Sequence, residues 1–463
     1  MRHRFPSRGL ALTYAAGGLV DGVMFNALNT FLFFYLSTAT KIPVDVAAII
    51  LAAAVVVDAI AAPLIGSASD NLRGRFGKRL PFMLMALPFA IWSIHGVFAL
   101  PDAPVHVLVP QLAVLAIVAR LSLSMFQLPH LALGADMALP YERRSRLTAL
   151  RWFCNICGGL IAVLGGLAWE VTGAEAGDPA AFERFAVLLP CVVAAGGVSG
   201  SIAAWRLKPT SSPGTSGGKN AGLSLLVSFV QAVRNPTFRL LVLGSGVFFA
   251  GFSIGNMLNL YTKIRFWQLN QTEVSCVLLA SFTGLLGAAP VAGWIVRWFE
   301  KKTVACAGLI GFIMVQAGPV TLHLFGALPF AQFQIAMMLS ITSVMGGLAL
   351  GLTGATLNSM IGDIADEHRL LYGSNLQGTF YGATAFANKL ANGLGIAFTG
   401  LALDLLKFSP SDGLDEAETF AVGLLYGPIG GGLSLIALIP LMRYRIDRHE
   451  HARIVAALGT QSH

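Results

Sequence analysis

The chain has 463 residues, 55% of them hydrophobic and only 12% charged, where an ordinary soluble domain carries about 25% charged residues. With a mean hydropathy of +0.71, this excludes a soluble enzyme and a single anchor on a polar domain; the apolar residues must recur in many membrane-length blocks. The formal net charge of +8 would raise nucleic acid as a partner in a soluble protein, but here the basic residues sort by loop and no nucleic acid is expected.

In chain order, blocks long enough to cross a hydrocarbon core of about 30 Å fall at 9–37, 46–69, 80–100, 106–134, 147–170, 184–206, 237–262, 273–297, 303–323, 329–361, 375–406 and 417–442. The first follows Arg2, Arg4 and Arg8 but is too long for a signal peptide and contains Asp21, so it reads as a retained helix. Twelve spans put both termini on one side. With that side cytoplasmic, five of the 31 Lys and Arg fall outside (Lys41, Arg184, Lys263, Arg265, Lys407), three within helices (Arg120, Arg151, Lys389) and the rest inside, as the positive-inside rule requires. The prediction is an all-α multi-pass protein of the plasma membrane (the inner membrane in a bacterium), monomeric in the bilayer. The five cysteines lie in apolar blocks, and the Cys154/Cys157 pair lacks the second pair or nearby His of a metal site. No metal, cofactor or catalytic residue is expected.

A Pro/Ser/Gly stretch, PTSSPGTSGGKNAG (209–222), reads as a flexible linker. It divides the chain into a six-helix half at 1–208, a linker at 209–236, a second six-helix half at 237–446 and a tail at 447–463. The halves repeat: Ala62-Pro63-x-x-Gly66 recurs as Ala289-Pro290-x-x-Gly293, Asn29 as Asn256 and Asp136 as Asp363, each 227 residues on. Two such repeats make a transporter architecture with its substrate site near the midplane.

Asp21, Asp58, Arg120, Arg151 and Lys389 sit well inside predicted helices. Each would cost about 2.5–3.5 kcal/mol at a lipid-exposed midplane, so each must face protein or water. They serve either as buried ion pairs that only hold helices together or as the lining of a polar cavity. Three cations against two carboxylates favour the cavity, and an anionic solute would balance the excess. Arg120 is expected to tie helices together. Asn26, Asn29, Ser124, Gln127, Asn155, Tyr381, Thr384, Asn388 and Asn392 supply hydroxyl and amide groups around the charges. The last four share one face of a helix with Lys389 close by. They suit a hydroxyl-rich ligand or act as interhelical hydrogen-bond glue.

Three segments carry a family resemblance: DAIAAPLIGSASDNLRGRFGKRLPFML (58–84), QLPHLALGADMALPYERRSRLTALRWF (127–153) and MIGDIADEHRLLYGSNLQGTFYGATAFANKLANGLG (360–395). Together with the spacing of Asp21 before FLFFYL (31–36), they resemble the glycoside-pentoside-hexuronide:cation symporters, the melibiose-permease-like branch of the major facilitator superfamily. The resemblance implies the major facilitator fold and symport of a glycoside or uronide. It implies that Asp21 and Arg151 hold sugar hydroxyls, with Gln127 in the polar site before Pro129. Asp58 matches the first of two helix 2 carboxylates that bind the coupling cation, and Lys389 the helix 11 lysine near it. Ser124, Asn155, Tyr381, Thr384 and Asn388 join the expected substrate set. The second helix 2 carboxylate is Ala62 here and the Asn before it Ala61, so a proton is a better coupling ion than sodium. Asp70, Arg75, Lys78, Asp136, Arg143 and Asp363 match a cytoplasmic gate, which the N-terminal half is expected to hold more firmly.

An integral-membrane enzyme would need a nucleophile-base pair or a metal cluster, and no HExxH or GxSxG occurs. His130, beside Pro129, is the one histidine at the edge of the polar region. An exporter or importer of an amphiphilic or anionic solute, such as a lysolipid, is the nearer rival.

Overall fold

The computed structural model describes residues 8–72, 76–136, 141–168, 179–206, 232–328, 332–372, 377–406 and 416–461. Most of them are helical, in twelve spans. Span 1 is α1 (Arg8–Ala16), α2 (Gly18–Asn26), a π-helical turn (Ala27–Phe31) and α3 (Leu32–Ala39). Spans 2 to 6 are α4 (Val44–Asn71), α5 (Leu80–Gly96), α6 (Val105–Asp136), α7 (Tyr141–Ala168) and α8 (Pro179–Arg206). Span 7 is α9 (Pro236–Met257), α10 (Asn259–Tyr261) and a π-turn (Thr262–Phe266). Spans 8 to 11 are α11 (Gln271–Ile295), α12 (Lys301–Leu324), α13 (Gln332–Tyr372) and α14 (Gln377–Leu405). Span 12 is α15 (Glu416–Leu424), a π-turn (Leu425–Ile429), α16 (Gly430–Ile436) and α17 (Leu438–Met442). A last helix, α18 (Arg448–Gln461), follows. Ten of the spans are long and apolar enough to cross a membrane; α5 has 17 residues, and α14 carries the polar face predicted for span 11.

Local chemistry sets several boundaries. Asn235 caps α9 by accepting from the Phe238 N–H (3.0 Å), with Pro236 at the first helical position. Asn270 and Glu273 form a reciprocal capping box at the start of α11, with bonds of 2.9 and 3.0 Å. Pro63 and Pro290 lie inside α4 and α11, where helix packing tolerates them. Several expected ends move. The acidic residues after 361 belong to α13, whose 41 residues span roughly 62 Å, far more than a bilayer core. The backbone of 142–146, expected in a loop, is the first turn of α7, and Lys263 and Arg265 continue span 7 as a π-turn.

The described residues fall into two compact units: those of 1–219 with 270–275, and those of 220–269, 276–407 and 414–463. Residues 209–231 of the expected linker lie outside the described residues. The helix pairings repeat. In unit 1, α2 packs on α7, α6 on α4 and α5, and α8 on α1, α2 and α5; in unit 2, α9 packs on α14 and α16, and α12 on α13. Moreover α4 begins at Val44 and α11 at Gln271, while α6 begins at Val105 and α13 at Gln332, each 227 residues on. Both units expose large apolar side chains, among them Leu64 and Trp205 in unit 1 and Trp294, Met314 and Phe333 in unit 2. These are faces for lipid tails, which are as apolar as leucine. At the ends the surface is polar: exposed Lys41 and Asp102 pair at 2.7 Å, and the ammonium holds the Asp102 carboxyl below its ordinary range.

Candidate functional site

The polar interior of unit 1 is built on the contact between α2 and α7. A Cβ at Gly22 would collide with the Asn155 carbonyl, and one at Gly158 would lie 2.5 Å from the Leu19 carbonyl, so only glycine lets the two backbones come this close. That approach joins Asp21 to Arg151: Nη1 donates to Asp21 Oδ2 at 2.9 Å, and both residues are at most 9% exposed. The amide of Gln127, from α6, approaches the same carboxylate. Asp21 Oδ1 is buried with no hydrogen-bond partner among the described residues. Asn155 lies one turn beyond Arg151, half-buried, and Asn26 spends its amide on the Gly22 carbonyl (2.9 Å).

Beside this pair lies a contact that sequence reasoning placed only at the edge. His130 Nε2 donates to the Tyr14 carbonyl at 2.8 Å, and the two rings stand 4.6 Å apart. Gly17 packs against the His130 ring and the adjacent Gly18 against the Arg151 backbone, which brings the two groups together. His130 Nδ1 is buried without a partner among the described residues. Arg151, Asp21, Gln127, Tyr14 and His130 therefore gather in one polar region. The spacing Gln127 to His130, i and i+3 on α6, was the available signal.

A second group stands on α4, α6 and span 1. Asp58 is 5% exposed and accepts from the Ser124 hydroxyl. Arg120 Nη2 donates to Asn29 Oδ1 at 2.9 Å, which ties α6 to the π-turn of span 1. Ser124, expected among the substrate residues, thus stands with Asp58 and not with the Asp21 pair.

In unit 2, Lys389 and Asn388 are half-buried on α14. Thr384 is buried and donates to the Phe380 carbonyl of its own helix (2.9 Å), while the Tyr381 hydroxyl donates to the Asn358 carbonyl of α13 (2.9 Å). Among the gate residues, Arg75 and the side chains of Asp70, Asp136 and Arg143 lie outside the described residues, and Lys78 is half-buried. Asp363 is 6% exposed and takes Lys301 Nζ on both oxygens at 2.7 Å, with His451 Nε2 of α18 at 3.3 Å. His451 also lies 3.4 Å from Asp366 Oδ2. Arg448 Nη2 donates to the carbonyls of Val296, Arg297 and Phe299 at 2.9–3.4 Å, after the end of α11. Burial, then the charges of Asp363 and Glu367, push the Tyr444 phenol above its ordinary range. His451 and Arg448 were not singled out from sequence; nothing in a short basic tail announces a docked helix.

The family model described as MFS/sugar transport protein matches residues 13–448, nearly the whole chain. The chain belongs to the MFS/sugar transport protein family. Its relatives are symporters of the melibiose-permease-like kind. An uncharacterised symporter of Synechocystis sp. is 30% identical over 160 residues, which is 33% of this chain and 29% of that protein. The sodium-dependent lysophosphatidylcholine symporter 1 of Gallus gallus is 23% identical over 97% of this chain and 89% of its own length. The isoprimeverose transporter of Lactiplantibacillus pentosus is 21% identical over 95% of this chain and 88% of its own. Among solved structures, a D-xylose-proton symporter superposes with a TM-score of 0.65 at 16% identity, covering 95% of this chain and 98% of that one. The protein is therefore a multi-pass membrane transporter with the major facilitator fold and not an enzyme.

Proposed function

We propose that the protein moves a sugar, glycoside or uronide together with a cation by alternating access, and that the cation is a proton and not sodium. The observation that carries this is the buried Asp21–Arg151 pair. A carboxylate that accepts and a guanidinium that donates, held by glycine-tight helices, can bind vicinal hydroxyls in fixed geometry, and Asp21 Oδ1 has a free valence for one of them. Gln127 adds an amide at the same place. The isoprimeverose transporter among the relatives supports a sugar. For coupling, Asp58 is the carboxylate that binds and releases the ion, and Lys389 on α14 is the second coupling residue. With Ala61 and Ala62 beside Asp58, α4 itself offers sodium one carboxylate and no second side-chain oxygen there, whereas a proton needs one lone pair. The protein acts as a monomer in the cytoplasmic membrane with both termini inside, and Asp363 with Lys301 forms part of the inner gate.

A lysolipid is the second reading, favoured by the near full-length match to the lysophosphatidylcholine symporter. Uptake into proteoliposomes separates the two, using labelled neutral glycosides, pentosides, uronides and one lysolipid under separately imposed proton and sodium gradients. The expected result is accumulation of one sugar class driven by pH and not by sodium, lost in Asp21→Asn and Arg151→Gln. Asp58→Asn should lose accumulation while keeping downhill movement. Lysolipid transport with no sugar uptake would overturn the sugar assignment.

A further inference from the structure

Arg120 and Ser124 are four residues apart on α6, so they share a face one turn apart. Ser124 gives its hydroxyl proton to Asp58 on α4, and Arg120 reaches Asn29 on the π-turn of span 1. Through Ser124, Asp58 is thus held one helical turn from Arg120. A carboxylate, a hydroxyl and an amide oxygen from three helices are the donor types that hold a small alkali cation, yet a cation belonging to the chain already stands among them. We propose that Arg120 is a tethered cation: it takes the place a coupling sodium ion would fill beside Asp58 and makes transport independent of sodium.

This rests on the reading of Asp58 as the coupling carboxylate, and it names Arg120 as the residue that sets ion specificity. A guanidinium keeps its charge at every physiological pH and cannot leave with the substrate. A sodium ion arriving at Asp58 meets that fixed positive charge and an Asn29 oxygen already bonded. A proton meets the same charge but needs no coordination shell, so the bonded Asn29 oxygen is no obstacle to it. The bond to Asn29 also keeps the charge at the π-turn, where the helix of span 1 is widened; such turns recur at functional positions.

The test needs no substrate, so it stands or falls apart from the sugar assignment. Thermal melting of the purified full-length protein is followed in choline, lithium and sodium chloride at equal ionic strength. The wild-type protein is expected to melt at one temperature in all three salts. Arg120→Gln vacates the position and should gain a rise of about 2–4 °C that is specific to sodium or lithium. Arg120→Lys keeps the charge and should stay insensitive, and Arg120→Gln with Asp58→Asn should lose the gain. If Arg120→Gln gives no folded protein, the double variant still reports: removal of both charges should restore monodisperse protein. Sodium-specific stabilisation of the wild type would overturn the proposal. So would an Arg120→Gln protein that folds and ignores both ions, or a double variant less stable than the single one.

Discussion

In unit 1 the close approach of α2 and α7 carries a buried ion pair, Asp21 with Arg151. In unit 2 the matching approach of α9 and α14 is made at Gly395 against Ser253 and the Ala250 carbonyl, and the ion pairs around Asp363 lie at one end of α13. The two repeats share their helix pairing and the spacing of their helix starts. The difference teaches that duplication preserves which helices pair and leaves the residues at their contacts free to diverge. One half put its divergence into a polar interior; the other put it into a clasp between α12, α13 and α18.

The largest effect should come from breaking the shared contact. Gly22→Val places a side chain against the Asn155 backbone, where nothing can swing aside. Its cost is about 3 kcal/mol or more, and the expected outcome is loss of folded protein in a thermal melt. Gly395→Val should be milder, because the Ser253 hydroxyl can rotate away from one of its clashes. Equal losses would mean that the two contacts are alike in rigidity as well as in design.

The clasp of unit 2 is tested next. Ile454 is 3% exposed and packs with Phe238, Met360 and Ile361 in one apolar cluster. Ile454→Ala should cost about 2–5 kcal/mol if α18 is integral to its unit. An unchanged melting temperature would show the helix to be a loose appendage.

The smallest effect belongs to the surface pair of unit 1. Lys41 depresses the Asp102 carboxyl, so any stability it adds is present above the ordinary aspartate range and disappears as the pH falls through the depressed value. Both side chains are largely in water. Lys41→Ala should therefore melt with the wild type at pH 7 and at pH 3 alike, and a divergence confined to pH 7 would reveal a real contribution.

Most of the fold was legible because a bilayer demands blocks of about 20 apolar residues and punishes charges inside them. The same expense exposed Asp21, Asp58, Arg120 and Arg151 before any coordinates. What escaped were features that membrane thickness does not govern. The extension of α13 to Tyr372 reads as loop, since polar residues beyond the bilayer look alike in helix or coil. The docking of α18 rests on Ile454, His451 and Arg448, whose partners lie far off in sequence. The assignment of Ser124 to Asp58 was within reach, because Arg120, Ser124 and Gln127 follow helical spacing, but the partner across the interface is a tertiary fact. Tyr14 contributes a main-chain carbonyl to His130, which no residue type could have advertised.

The length of α13 has a mechanical meaning. A straight rod of roughly 62 Å, pivoting near the middle of the bilayer, moves its tip by about 5 Å for a tilt of about 10°. Asp363 and Asp366 ride on the outlying third of that rod, and the groups that grip them, Lys301 and His451, belong to its neighbours. A rotation too small to disturb the packing at mid-depth is thus geared up, where Asp363 sits, to a displacement of about 3 Å, the length of a hydrogen bond. The rod converts a slight rocking of helices into the making or breaking of whole contacts.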